Sequence, residues 1–166
     1  MKVHTLSVLV ENRAGVLSRV AGMFSRRGFN IESLAVGTCE VPEMSRITIT
    51  VHGDDTRIEQ VKKQLNKLID VIKVSDITYH EHVRRELALI KVVANPGSSR
   101  AEVMQIADTF RAQIIDVGAK TLILQVVGPP EKIDALEKLL RQYGVKELVR
   151  TGTIAALRGS KTTAGD

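Results

Sequence analysis

The chain states one plan twice, and that duplication constrains its fold more than any single motif. Val51-His52-Gly53, followed by Ile58, Lys63 and Leu65, returns as Val126-Val127-Gly128, followed by Ile133, Lys138 and Leu140. Phe24 with Asn30-Ile31 returns as Phe110 with Asp116-Val117. Two diverged copies leave about 80 residues to each, and a domain of that size buries only a modest core. Each copy must therefore be regular, with short connections.

The periodicity inside the copies supplies the elements. Val3 to Val10 alternates, with His4, Leu6, Val8 and Val10 on one face and Thr5, Ser7 and Leu9 on the other, the period of a strand. From Gly15 the period changes to that of a helix, with Val16, Leu17, Val20, Ala21 and Phe24 in one stripe and Gly28 placed to end it. Ile31 to Cys39 reads as a second strand, Pro42 as the turn, and Arg46 to Val51 as a third strand. Gly53-Asp54-Asp55 caps a helix carrying Ile58, Val61, Leu65 and Leu68, and Val71 to Tyr79 closes the unit.

The second half repeats the order. Leu87 to Val93, the helix after Ser98, Ile114 to Val117, Thr121 to Val127, the helix from Pro129-Pro130 and Val145 to Val149 follow in turn. Strand-helix-strand-strand-helix-strand describes a ferredoxin-like unit. The expected class is α+β: two βαββαβ domains, each an antiparallel sheet with helices on one face. The expected boundaries are residues 1–79 and 80–157, with a small, polar tail at 158–166 expected to be disordered. Outer sheet edges need covering, so at least a homodimer is expected.

Composition removes several classes of function. Aromatics make up 3% of the chain and Trp is absent, so the core must be aliphatic. The single cysteine, Cys39, excludes an internal disulfide and suits a reducing compartment. No apolar leader and no long apolar run occur, which predicts a cytoplasmic chain without a membrane span. The net charge of +5 raises nucleic acid as a partner. Yet the pairs Arg26-Arg27, Lys62-Lys63 and Arg84-Arg85 lie near acidic residues, and the strands offer only Tyr79 as an aromatic to stack bases. Solvated helix faces are the simpler reading, and a basic face for an acidic protein partner is the second. Neither nucleic acid nor a membrane is expected as a partner.

Catalytic patterns are missing as well. The chain has no Walker-type phosphate loop, dinucleotide fingerprint, H-E-x-x-H or serine elbow. His80-Glu81-His82 could place two imidazoles on one face, but no third ligand lies near, so it reads as a polar linker. His4 and His52 read as strand-end residues, Cys39 as a small hydrophobe, and Asp54-Asp55 as a cap rather than a catalytic pair. No catalytic residue, metal ligand or cofactor is expected in the chain itself.

What stands out is Glu11-Asn12-Arg13-Ala14-Gly15-Val16-Leu17 behind the first strand. A strand that breaks at Asn and Gly and then enters a helix leaves backbone N–H groups unpaired at the positive end of the helix dipole. A bound amino acid would set its carboxylate on the N–H groups around Gly15 and Val16. Its ammonium would meet an Asn side-chain oxygen, and its side chain would lie among Val16, Leu17 and Ile31. Asn30-Ile31 sits at a sheet end and reaches this loop most easily from a second chain.

Leu6-Ser7-Val8-Leu9-Val10-Glu11-Asn12, followed by Ala14-Gly15-Val16-Leu17-Ser18-Arg19-Val20, resembles the opening of the ACT domain in the acetolactate (acetohydroxyacid) synthase small-subunit family. Phe24 through Leu34, Lys63-Gln64-Leu65 through Val71, and Phe110-Arg111 with Ile114-Ile115-Asp116-Val117 extend the resemblance over nearly all the chain except the tail. The resemblance implies a non-catalytic regulatory subunit of branched-chain amino acid biosynthesis. It would activate a large catalytic subunit that joins two pyruvates to give acetolactate and carbon dioxide, and would confer feedback inhibition by valine. Thiamine diphosphate, Mg and FAD would belong to that partner. The implied effector residues are Asn12, Ala14, Gly15, Val16 and Leu17, with Asn30 and Ile31 from the other chain. In the second copy Asp116 stands where Asn30 would be, so that half is expected to serve dimer packing or the partner. The alternative is a free-standing ACT-type amino-acid sensor controlling another enzyme or a transcription factor.

Overall fold

A computed structural model describes residues 2–164. The chain divides into two compact units, one formed by the residues up to Val83 together with those from Thr153 onward, the other by Arg84–Gly152.

In the first unit the order is β1 (Lys2–Glu11), α1 (Val16–Arg26), β2 (Ile31–Thr38), β3 (Met44–Gly53), α2 (Asp55–Leu65) and β4 (Val71–Asp76). The sheet order is β2-β3-β1-β4 with every pairing antiparallel, which is the ferredoxin-like arrangement. Leu6, Val8 and Val10 of β1 and Ile47, Ile49 and Val51 of β3 face the helices and pack on Val16, Val20, Phe24, Ile58, Val61 and Leu65. The alternation expected of β1 is therefore observed.

Helix ends follow local chemistry. Gly28 has φ +67, and Phe29 N–H donates to Phe24 O at 3.0 Å, closing α1 as expected with a left-handed glycine. Asp54 caps α2 by accepting from Arg57 N–H at 2.8 Å.

The other face of this sheet is polar and still buried. Thr5, Ser7, Thr48 and Thr50 are nearly inaccessible although they point away from the helices. The returning C-terminal segment supplies contacts here. Thr153 N–H donates to Ser33 Oγ at 2.7 Å, Ser7 Oγ meets Thr163 Oγ1 at 3.3 Å, and Arg158 N–H donates to Glu81 O at 2.9 Å.

The second unit contains β5 (His82–Val93, entering from the first unit), α3 (Ser98–Thr109), β6 (Gln113–Val117), β7 (Thr121–Gly128), α4 (Pro130–Leu140) and β8 (Val145–Arg150). The sheet path is β6-β7-β5-β8, again antiparallel. Its core is aliphatic: Ile90, Val92, Val103, Leu122, Leu124, Ile133, Leu136 and Leu140 are buried. The repeated plan is thus a repeated fold.

Three details differ from expectation. The strand expected to run to Tyr79 ends at Asp76, where Thr78 N–H turns back to the Asp76 carboxylate at 3.0 Å. An unanticipated strand, β9 (Ile154–Leu157), follows the second unit. The segment from Thr153 groups with the first unit, where Thr153 N–H reaches Ser33 Oγ and Arg158 N–H reaches Glu81 O, while its strand β9 pairs with β5. Of the tail read as disordered, residues 158–164 have a described course. Residues 165 and 166, like Met1 of the first expected domain, lie outside the described residues.

Candidate functional site

The Asn12–Leu17 turn is held on three sides by backbone. Glu11 N–H donates to Asp70 O and Asn12 N–H to Glu43 O, both at 2.9 Å, so β1 is pinned to the loops that precede β4 and β3. Arg13 N–H folds back to Glu11 O at 3.0 Å. Gly15 then takes φ +83 and ψ −8, a left-handed conformation in which a side chain is strained, and α1 starts at Val16.

No side chain caps α1. Val16 N–H reaches Arg13 O only at 3.4 Å, and Gly15, Leu17 and Ser18 N–H meet no acceptor among the described hydrogen bonds. The first turn of α1 carries no acidic residue. Several donors at the positive helix end are thus without an acceptor among the described hydrogen bonds, an arrangement suited to a carboxylate.

Asn12, Ala14 and Gly15 are exposed around these donors. Val16 belongs to the core, so its side chain closes the floor of the turn from inside; Leu17, 42% exposed, is the apolar group on the outer surface. Asn30 is exposed and Ile31 half-buried, but neither is near this turn in the same chain. Ile31 pairs with Val51, and Val51 pairs with His4, at the far end of the sheet.

Two residues absent from the expected set shape the turn. Arg19, four positions beyond Gly15, folds its side chain back along the helix. Its Nε and Nη2 donate to Asp70 Oδ2 at 2.7 and 2.6 Å. A Cβ placed on Gly15 would stand 2.9 Å from Arg19 Nη1. The sequence signal was the four-residue spacing, which stacks side chains on one helix face.

The equivalent turn of the second copy is built differently. Gly97 has φ +111 and ψ −146 rather than Gly15's left-handed helical angles. Arg100 fills the neighbourhood, donating to Ala94 O at 3.0 Å, Gly118 O at 2.7 Å and Ala119 O at 3.0 Å. Asp116 is exposed on β6.

The remaining candidates fall into structural roles. His4 is buried between Asp55 and Asp76, each 3.5 Å from a different ring nitrogen, and Nε2 makes no hydrogen bond among the described residues. Tyr79 OH donates to the same Asp55 carboxylate, so this histidine lies in a cluster, not in isolation. His52 faces Glu32 at 3.2 Å, and His82 Nδ1 meets its neighbour His80 O at 2.6 Å. No three His, Cys, Asp or Glu side chains gather as a metal site among the described residues. Cys39 is half-buried on a cleft of about 330 Å³ shared with Glu40, Arg46 and Ile154. There Arg46 clamps Glu40 through two bonds of 2.8 Å, and that bond holds the carboxyl at a pKa of about 2. No described helix is long and apolar enough to cross a membrane.

Comparison with known proteins places these features in a context. Residues 6–73 match the family described as the AHAS small subunit-like ACT domain, and residues 85–159 match the small subunit of acetolactate synthase. The chain is 56% identical over 158 residues to the probable acetolactate synthase small subunit of Archaeoglobus fulgidus, covering 95% of this chain and 98% of that one. It is 48% identical to the acetolactate synthase small subunit of Mycolicibacterium smegmatis, covering 95% and 92%. The crystal structure of the acetolactate synthase small subunit from Thermotoga maritima superposes with a TM-score of 0.87 at 42% identity, covering 97% of this chain and all of that one.

Proposed function

The chain belongs to the acetolactate synthase small-subunit family, with an ACT domain as its first half, and on that premise we propose that it senses a branched-chain amino acid for a catalytic partner. It is a regulatory subunit without a catalytic role of its own, and a small subunit implies a large catalytic one. The finer reading is that valine binds between the ACT domains of two copies and inhibits the large subunit, which this chain otherwise activates. The site would take Asn12, Ala14, Gly15, Val16 and Leu17 from one copy and Asn30 and Ile31 from the other.

One observation carries this reading: the N–H groups of Gly15, Leu17 and Ser18, which meet no acceptor among the described hydrogen bonds, at an uncapped helix start behind a left-handed Gly15. An α-carboxylate satisfies them. Leu17 and the second copy's Ile31 would supply apolar cover for a branched side chain, and an Asn oxygen would accept from the ammonium. Thiamine diphosphate, Mg and FAD would be held by the large subunit, in the cytoplasm. Regulation requires valine to favour one arrangement of the pair of ACT domains over another, and couplings of this kind run about 1–3 kcal/mol.

Calorimetric titration of the full chain with valine, leucine, isoleucine and alanine tests the reading. Saturable valine binding that disappears in Asn12→Ala supports it. Titrations in which valine binds no better than alanine, alone and with the large subunit present, refute it.

A further inference from the structure

Resting on that effector reading, we propose that Arg19 is the side chain that recognises the effector's carboxylate, with Asp70 as the residue that positions it. Arg19 is anchored through its own helix, its N–H donating to Gly15 O at 3.0 Å. Its guanidinium uses only one edge for Asp70: Nε and Nη2 both donate to Oδ2, at 2.7 and 2.6 Å. Nη1, on the other edge, meets no acceptor among the described hydrogen bonds and lies over Gly15, 2.9 Å from where a Cβ would be. The guanidinium therefore covers Gly15 where a side chain would otherwise stand, which brings Nη1 close to the Gly15 end of the turn.

A carboxylate at the start of α1 would accept from the turn's backbone N–H groups and from Nη1 together. Charge-assisted bonds of this type are about twice as strong as neutral ones. Backbone N–H groups alone also serve a neutral carbonyl, so the arginine is what makes the site prefer a free acid.

Asp70 gives the arginine its direction. Its side chain is only 9% exposed, and its carbonyl takes the Glu11 N–H at 2.9 Å, so the carboxylate is fixed to the end of β1. It also offsets the guanidinium charge when no ligand is present. The second copy has no such arrangement: the position four beyond Gly97 is Ala101, and Arg100 spends its donors on backbone carbonyls.

The test compares valine with valinamide, which keeps the ammonium and the isopropyl group but lacks the carboxylate, on the full chain by calorimetry. In the wild type valine binds at least about tenfold tighter than valinamide, the scale of one hydrogen bond to a charged group. Arg19→Gln weakens valine by about tenfold or more and leaves valinamide within about twofold, so the ratio collapses. Asp70→Asn shrinks the ratio in the same direction but less, because Arg19 is present and no longer aimed. A merely structural role would weaken both ligands together, and that result overturns the proposal. Arg19→Gln with wild-type valine affinity, while Asn12→Ala loses it, overturns Arg19 and leaves the effector site standing. A wild type that binds neither ligand, with or without the large subunit, overturns both. If Arg19→Gln does not fold, equal affinity of the wild type for the two ligands alone is enough to overturn it.

Discussion

Asn12 and Ile31 lie at opposite ends of one sheet. Asn12 donates its N–H to Glu43 O just beyond the Glu11–Met44 pair, whereas Ile31 pairs with Val51. Eight positions along β3 separate Glu43 from Val51, which at ~3.4 Å per residue is about 27 Å. An amino acid cannot touch both residues of the same chain. If both serve one effector, a second copy must bring the other half.

This geometry makes a complementation prediction. Asn12→Ala and Asn30→Ala each abolish valine inhibition when either is the only small subunit present. Co-expressed, they form mixed pairs in which one site has both asparagines and the other has neither. Inhibition of the reconstituted enzyme should return in part, with at most half of the sites responding. Mixed assemblies as resistant as the parents would show that the two asparagines do not share a site.

Gly15→Asp should uncouple the sensor for two separate reasons. At φ +83 a side chain costs about 1 kcal/mol, somewhat less for Asp than for most residues. The new carboxylate would also meet Arg19 Nη1, which stands 2.9 Å from the position of the added Cβ. It would thereby occupy the place proposed for the effector's carboxylate. Activation of the large subunit should persist while the valine concentration for half-inhibition rises by about tenfold or more. Gly15→Ala adds the strain and the same 2.9 Å crowding of Arg19 Nη1 but no carboxylate, and should shift it less. Equal shifts in the two variants would argue for strain and crowding alone.

Much of this could be read from the sequence, for physical reasons that differ by element. β1, β3 and α1 were legible because their faces alternate between aliphatic and polar at one fixed period. The helix stop at Gly28 and the cap at Asp54 were legible because both depend on residues next to them in the chain. Arg19–Asp70 and Ser33–Thr153 were not, since each joins residues whose distance in the chain carries no periodic signal. His4 reads from the sequence as a strand-end residue, and nothing near it in the chain announces Asp55 and Asp76, which reach it from α2 and β4. The polar β1 residue Ser7 gave no sign of burial, because its partner Thr163 lies in the distant C-terminal segment.

Ser33→Ala should destabilise the fold without touching the effector turn. Ser33 Oγ accepts the Thr153 N–H at 2.7 Å, and Thr153 is buried. Removing that acceptor costs about 1–3 kcal/mol. A chain of this length loses roughly 2–4 °C of Tm per kcal/mol. Calorimetric melting should show that loss with valine affinity unchanged. A melting temperature within 1 °C of wild type would mean that the C-terminal segment contributes little at Ser33.

The Glu40–Arg46 pair should leave a signature in acid. Glu40 has an ordinary value of 4.5 that the Arg46 hydrogen bonds lower to about 2, helped by its own backbone N–H. Its pKa is therefore lower in the folded chain than in the unfolded one. A depressed carboxyl contributes stability that is fully present above the unfolded value and is lost as pH falls through the folded one. The contribution should hold above about pH 5 and fade between about 4.5 and 2. Because the pair is largely exposed, high salt should reduce it. Melting temperatures of the wild type and Glu40→Gln, compared from pH 6 downward, should differ most at the upper end and converge toward pH 2. A difference that stays constant with pH would mean that Glu40 acts through packing and not through its charge.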